Sequence, residues 1–81
     1  MKKLGIIGGY SYKSTIYYYD QIVYALRGQC DITIRSIDYT IFDRYTEAND
    51  LNGLRMFLQE AVNDLLKVGC EIIAIACNTA H

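Results

Sequence analysis

Three short apolar runs alternate with two amphipathic stretches of helical length, and this alternation constrains the fold more than any other feature of the chain. The runs occupy residues 4–7, 31–38 and 72–76. Strands that alternate with helices predict a parallel sheet. The first and third runs contain no polar residue, as is typical of strands buried on both faces, whereas the second alternates and is typical of an edge strand. The sequence therefore predicts a three-stranded α/β fold with the first strand in the middle.

The two helices are predicted over residues 14–27 and 51–68. The expected core face of the first helix consists of residues at helical spacing, namely Ile16, Tyr19, Val23 and Leu26, with Ile22 beside them. Residues 39–50, between the second strand and the second helix, are predicted to be a long connection of mixed polarity.

Right-handed crossovers place the two helices on opposite faces of the sheet, as in a flavodoxin-like strand–helix–strand–helix–strand unit of order 2-1-3. One helix on each face covers three strands incompletely and leaves the third strand with an open apolar edge. The predicted fold class is thus a three-layer, flavodoxin-like half-domain truncated after the third strand. Residues 1–81 are interpreted as the N-terminal part of one domain. The open edge predicts self-association, or pairing with a missing C-terminal half.

Composition argues against several classes of partner. The chain has 81 residues, 52% of them hydrophobic, and a formal net charge of −1, which is typical of a folded domain. Its Lys and Arg residues form no basic run, so nucleic acid is not an expected partner. No apolar stretch approaches ~18 residues, so we expect no membrane contact. A glycine-rich strand end, and not a signal-peptide core, follows Lys2 and Lys3, which predicts a cytoplasmic location.

Cysteine usage indicates reduced thiols. Cys30, Cys70 and Cys77 are an odd number of cysteines at spacings that match no disulfide or zinc framework. The chain has a single histidine, His81, and therefore lacks the ligands of a zinc site. We expect no bound metal.

The glycines after the first strand, Gly8 and Gly9, stand where nucleotide-binding proteins carry their phosphate loops. The dinucleotide fingerprint G-x-G-x-x-G is absent. A P-loop needs a glycine directly before its Lys-Ser pair, and Tyr12 stands there, before Lys13 and Ser14. Both motifs fail, and we expect no cofactor.

A polar cluster follows the third run at Cys77, Asn78, Thr79 and His81. Ligands of open parallel sheets bind beyond the carboxyl ends of the strands, where this cluster is expected. One interpretation is a reactive thiol in a binding crevice. The other is a small buried cysteine followed by a turn, because free cysteine commonly behaves as a small hydrophobic residue.

Three segments together carry a resemblance to a known family. Residues 8–15 read G-G-Y-S-Y-K-S-T, residues 42–45 read F-D-R-Y, and residues 77–81 read C-N-T-A-H. With these segments the chain resembles the aspartate/glutamate racemase family, a cofactor-independent superfamily that also contains hydantoin racemases and maleate isomerases. The resemblance covers the whole chain but only the N-terminal part of a family member. Tyr10 stands where the family often has methionine.

The resemblance implies a role for each matched position. Cys77 would be one of two cysteines that remove and return the Cα proton of an amino acid. Asn78, Thr79 and the backbone around Gly9 and Ser11 would hold the substrate carboxylate and stabilise the carbanionic transition state.

Arg44 would bind the side-chain carboxylate of a small dicarboxylic amino acid, with aspartate and glutamate both open. The alternative for Arg44 is a solvated side chain beside Asp43 and Glu47. No role is assigned to His81.

The family's second catalytic cysteine lies in a later part of its members and has no counterpart in this chain. Three functions therefore stay open: the first half of a two-cysteine racemase site, a truncated and inactive binding or interaction module, and a single-cysteine, isomerase-like enzyme.

Overall fold

The structure is a computed structural model, and it describes residues 3–76. Within this range the elements follow the order β1 (Lys3–Gly8), α1 (Tyr12–Ala25), β2 (Asp31–Ser36), α2 (Tyr39–Glu47), α3 (Leu51–Lys67) and β3 (Ile72–Ile75). The strands form one parallel sheet in the order β2-β1-β3. The predicted α/β fold class and strand order are confirmed.

The helices α1 and α3 cover opposite faces of the sheet. Successive residues of a strand point to opposite faces, so Gly5 and Gly8, three positions apart on β1, face opposite sides. The Cα of Gly5 lies against Leu65 of α3, whereas the Cα of Gly8 lies against Thr15 of α1. The described chain thus has three layers with β1 in the middle, as right-handed crossovers require.

The main core lies on the α3 face of the sheet. It consists of Ile7, Ile37, Ala61, Leu65 and Cys70, around which Phe42, Phe57, Leu58, Val62 and Ile73 are packed. The cluster draws on β1 and β3, on Ile37 directly after β2, and on both α2 and α3, so these two helices lie on the same face.

The segment between β2 and α3 is helical over most of its length, so the long connection predicted over residues 39–50 contains a helix that was not predicted. Asp38 caps α2, because its carboxylate accepts hydrogen bonds from the Thr40 N–H at 2.9 Å and from the Thr40 hydroxyl. The ring of Tyr45 lies directly against the Cα of Gly53 in the first turn of α3. None of the residues of α2 is fully buried, since only one side of this short helix is packed. The residues of α2 can therefore include both polar and apolar side chains.

The helix α1 is rotated away from the face that its apolar spacing predicts. Ile16 and Tyr19, expected in the core, are 62% and 44% exposed. The side turned towards the sheet carries the buried Thr15, followed by the half-buried Tyr18 and Ile22. Of the four predicted residues only Val23 is half-buried, whereas Ile16, Tyr19 and Leu26 are exposed, so most of the predicted core face is wrong. Thr15, and not Ile16, lies against the sheet, where its hydroxyl hydrogen-bonds to the β1–α1 turn.

Both edge strands are incompletely covered. Ile34 on β2 is 40% exposed, and on the other face of β2 the Arg35 Nε lies 3.0 Å from Asp64 Oδ2 of α3. On β3, Ile72 and Ile75 are 46% and 52% exposed. In the described part of the chain no strand lies beyond β3, so an apolar edge is left open there.

Candidate functional site

The ends of the three strands meet at one side of the sheet, which we call the carboxyl edge. The Ile37 N–H donates to the Gly8 carbonyl at 2.7 Å, and the Ala76 N–H donates to the Ile7 carbonyl at 2.8 Å. Both bonds continue the strand pairing past the last residues of β2 and β3. They bring the β1–α1 turn, the start of α2 and the end of β3 together at the edge where open parallel sheets bind ligands.

Two glycines shape the β1–α1 turn for different reasons. A Cβ on Gly8 would lie 2.5 Å from the Thr15 Oγ1 and Cγ2 atoms. Gly9 has a φ of 101°, and a Cβ there would lie 2.5 Å from the Ile37 carbonyl oxygen and 2.6 Å from the Ser36 hydroxyl. Positive φ is readily adopted only by glycine. The turn is therefore enclosed between α1 on one side and the end of β2 on the other.

Thr15 ties the two ends of this turn together. The Gly9 N–H donates to Thr15 Oγ1 at 3.1 Å, and the same hydroxyl donates to the Ser11 carbonyl at 3.1 Å. Ser11 also caps α1, since its own hydroxyl accepts from the Ser14 N–H at 3.4 Å. Gly9 and Ser11 thus lie together at the carboxyl edge, but the Gly9 N–H is engaged inside the turn.

Sequence reasoning assigned no role to Thr15. The sequence feature that could have identified Thr15 is its position, six residues after Gly9 and four after the capping Ser11. A side chain about one helical turn after the cap lies close to the backbone at the start of the helix. A hydroxyl there reaches the turn that precedes the helix, whereas an apolar residue would only have joined the core.

The turn also contacts α2, through an aromatic pair. The rings of Tyr10 and Phe42 have centroids 4.7 Å apart and planes tilted by 57°. Offset and tilted ring pairs of this kind contribute about 0.5–1.5 kcal/mol beyond their burial. Tyr10, which departs from the residue common in the resembled family, therefore helps to position α2 against the turn.

Arg44 lies in the last turn of α2 with an exposed side chain. It is two residues beyond Phe42, and residues two apart on a helix point in different directions, so Arg44 does not follow Phe42 towards Tyr10. Within residues 3–76 no hydrogen bond or ion pair joins its guanidinium to Gly9 or Ser11. No ion pair with Asp43 or Glu47 is formed there either.

The charge of Arg44 nevertheless reaches the carboxyl edge. Asp38, two residues past the end of β2, has its pKa held below the ordinary value of 3.8. The hydrogen bonds from the Thr40 hydroxyl and N–H are the main causes, and the positive charge of Arg44 makes the smallest contribution. Arg44 is therefore near enough to Asp38 for their charges to interact weakly, and Asp38 itself contributes a negative charge to this edge.

The predicted catalytic Cys77 and the predicted substrate-binding Asn78 and Thr79 lie outside the described residues, as does His81. The last described residue, Ala76, is 3% exposed and is held to Ile7 by its N–H.

The other two cysteines lie at the opposite edge of the sheet. Cys30 directly precedes β2, and Cys70 lies two residues before β3. The Cys70 Sγ would be 3.1 Å from a Cβ on Gly5, which is three residues and thus roughly 10 Å along β1 from Gly8. Cys70 is buried in the core and Cys30 is half-buried, and both are free thiols. Neither is placed to act at the carboxyl edge.

Two further features of the described residues bear on ligands. Among residues 3–76, no three His, Cys, Asp or Glu side chains are grouped to hold a metal ion. No helix in this range has the length and apolar character needed to cross a membrane.

A surface cavity of about 500 Å³ lies beside the start of α1. Its lining comprises Ser11, Lys13, Ser14, Tyr17 and Tyr18. It shares Ser11 with the predicted site but is not lined by Gly9 or Arg44, so we assign no substrate to it.

Comparison with known proteins gives no relative on which to base an assignment. No protein-family model, no curated protein and no solved structure matches the chain significantly. The function must therefore be argued from the residues and their geometry.

Proposed function

We propose that the chain binds a small dicarboxylic amino acid and exchanges its Cα proton through Cys77, as the first half of a two-base racemase site. The observation that carries the proposal is the convergence at the carboxyl edge. The enclosed glycine turn, the helix α2 that carries Arg44 and meets this turn, and the buried Ala76 that precedes Cys77 all belong to this one edge.

The chemistry requires a base, a means to stabilise negative charge and a group that recognises the second carboxylate. A thiolate at Cys77 would take the Cα proton, and oriented dipoles would stabilise the enediolate-like carbanion that results. Asn78, Thr79 and the backbone at Ser11 would supply those dipoles. Arg44 would bind the side-chain carboxylate, for which a planar guanidinium is well shaped.

This chain would exchange the Cα proton without inverting the centre. Inversion needs a proton donor on the face opposite Cys77, and Cys30 and Cys70 lie at the other edge of the sheet. The same thiol or water would then return the proton. Because an ordinary cysteine has a pKa near ~8.5, little thiolate is present at neutral pH and the exchange should be slow.

The experiment is to incubate the chain in deuterated buffer with L-aspartate and, separately, with L-glutamate. Proton NMR follows loss of the Cα signal, and chiral chromatography follows the D-isomer. We expect slow deuterium uptake with the L-configuration retained, abolished by Cys77→Ala and unchanged by Cys30→Ala. Exchange that survives Cys77→Ala, or that never exceeds the rate in buffer alone, would refute the proposal. Formation of the D-isomer at the same rate as deuterium uptake would show that protons are also delivered to the opposite face of Cα. It would refute the claim that this chain supplies a base on one face only.

A further inference from the structure

Thr15 is the one buried polar residue among residues 3–76, with 9% of its surface exposed. A polar group is buried at a cost unless its hydrogen bonds are made, and those of Thr15 are made entirely with the β1–α1 turn. No hydrogen bond ties its hydroxyl to the sheet. Its hydrogen bonds therefore act on the turn, and the neighbouring Ile16 and Tyr19 are exposed.

We infer that Thr15 is a positioning residue for substrate binding at the carboxyl edge, an inference that rests on the proposed function. Its hydroxyl removes the Gly9 N–H from the groups able to meet a ligand and holds the Ser11 carbonyl back against α1. By fixing both ends of the turn, Thr15 determines which backbone groups between them face a carboxylate. The substrate itself would not touch Thr15.

The close contact between Thr15 and Gly8 supports this role. The Cα of Gly8 lies so near the Thr15 side chain that a Cβ would be 2.5 Å from both Oγ1 and Cγ2. The threonine thus holds the turn by two separable means, the hydrogen bonds of its hydroxyl and the packing of its methyl group. Valine keeps the shape and loses the hydroxyl, whereas serine keeps the hydroxyl and loses the methyl group.

The test compares Thr15→Val, Thr15→Ser and a control, Thr33→Val, in the full chain. Thr33 lies in the middle of β2, paired with Gly5 and away from the carboxyl edge. Cα deuterium exchange is measured as a function of L-aspartate concentration, together with the melting temperature and the amide exchange rate of Gly9.

In Thr15→Val we expect the half-saturating aspartate concentration to rise about tenfold, the order expected for one lost hydrogen bond. The maximal exchange rate should change less than about twofold, because a group that only orders the binding turn alters binding and not the chemical step. Exchange of the Gly9 amide should accelerate about tenfold or more. Thr15→Ser should have a lower melting temperature than wild type, because its methyl group is missing, but the same half-saturating aspartate concentration. Thr33→Val should keep the wild-type half-saturating concentration as well.

Three outcomes separate the two claims. A wild-type chain with aspartate-dependent exchange and an unchanged Thr15→Val variant would overturn the role of Thr15 alone, as would a Thr15→Ser variant with the same loss of affinity as Thr15→Val. A wild-type chain with no aspartate-dependent exchange would overturn the proposed function, and the inference with it.

Discussion

Replacement of Gly9 by alanine is expected to destabilise the protein more than the same replacement at Gly69, and the difference measures how closely the β1–α1 turn is enclosed. The two glycines have similar φ values of 101° and 91°. An L-residue in a left-handed conformation costs roughly 1–2 kcal/mol, and both variants share this cost. A Cβ at Gly69 would meet nothing within 4 Å, whereas at Gly9 it would lie 2.5 Å from the Ile37 carbonyl oxygen.

The extra cost at Gly9 comes from backbone atoms, which cannot move aside as a flexible side chain can. Relief of the contact requires a shift of the end of β2, and such a shift stretches the 2.7 Å hydrogen bond from Ile37 to Gly8. Overpacking of this kind typically costs about 1–3 kcal/mol. Gly9→Ala should therefore lose roughly 2–5 kcal/mol and Gly69→Ala roughly 1–2 kcal/mol.

The assay is urea unfolding of the wild type and both variants, followed by far-UV circular dichroism at one protein concentration. A domain of this length has a total stability of about 4–12 kcal/mol, so a loss at the upper end for Gly9→Ala would leave it marginally folded. Gly28→Ala is a second control, because Gly28 has a φ of 75° and open space around it. Equal losses in the three variants would show that the enclosure of the turn contributes nothing, and the reasoning would be refuted.

Three further predictions concern α2 and the open edge. Because the pKa of Asp38 is lowered in the folded state, wild type should be more stable than Asp38→Asn above pH 3.8. This difference in stability should vanish as the pH falls through the lowered pKa. Urea unfolding at a series of pH values measures it, and a difference that persists in acid would contradict the prediction. Under the proposed function, Arg44→Lys should reduce the rate of Cα exchange of aspartate at least about tenfold, because the point charge of lysine cannot replace the bidentate guanidinium. The control Arg55→Lys, at an exposed position, should exchange at the wild-type rate. Equal rates in both variants would show that Arg44 is a solvated surface residue. The exposed Ile72 and Ile75 beside an unpaired strand edge should make the chain self-associate, and a monodisperse monomer in analytical ultracentrifugation at micromolar concentration would contradict that.

The sheet could be predicted because its signals are local. The apolar run over residues 4–7 and the run over residues 72–76 have few alternatives to buried strands, and parallel topology then dictates that their carboxyl ends meet. The ends of α3 carry local signals too. Gly69, two residues past its last residue, has a φ of 91° that favours glycine. Asp50, of a residue type that commonly caps helices, accepts from the Gly53 N–H at 2.9 Å.

The helix α2 and the rotation of α1 could not be read in the same way. Ile41, Phe42 and Tyr45 do share helical spacing, but polar residues surround them, and a short one-sided helix resembles a polar connection. In α1 two apolar stripes compete, and the one through Ile16 is more hydrophobic than the one through Thr15. In the structure Thr15 takes the buried position and hydrogen-bonds to the turn, and contacts of this kind leave no periodic signal in a sequence.

The two halves of the described site are held by different physical means, and under the proposed function this bears on substrate choice. The turn is fixed by the hydrogen bonds between Thr15 and Gly9 and by backbone contact with β2, so its position is set before any ligand arrives. The helix that carries Arg44 meets the turn through the rings of Tyr10 and Phe42, and Phe42 also packs against the core. Aspartate and glutamate differ by one methylene, which an apolar pocket distinguishes by only about 1–3 kcal/mol. The choice between them would therefore depend on where the packing of α2 holds Arg44 relative to this turn, a position to which the ring pair and the core contact of Phe42 both contribute.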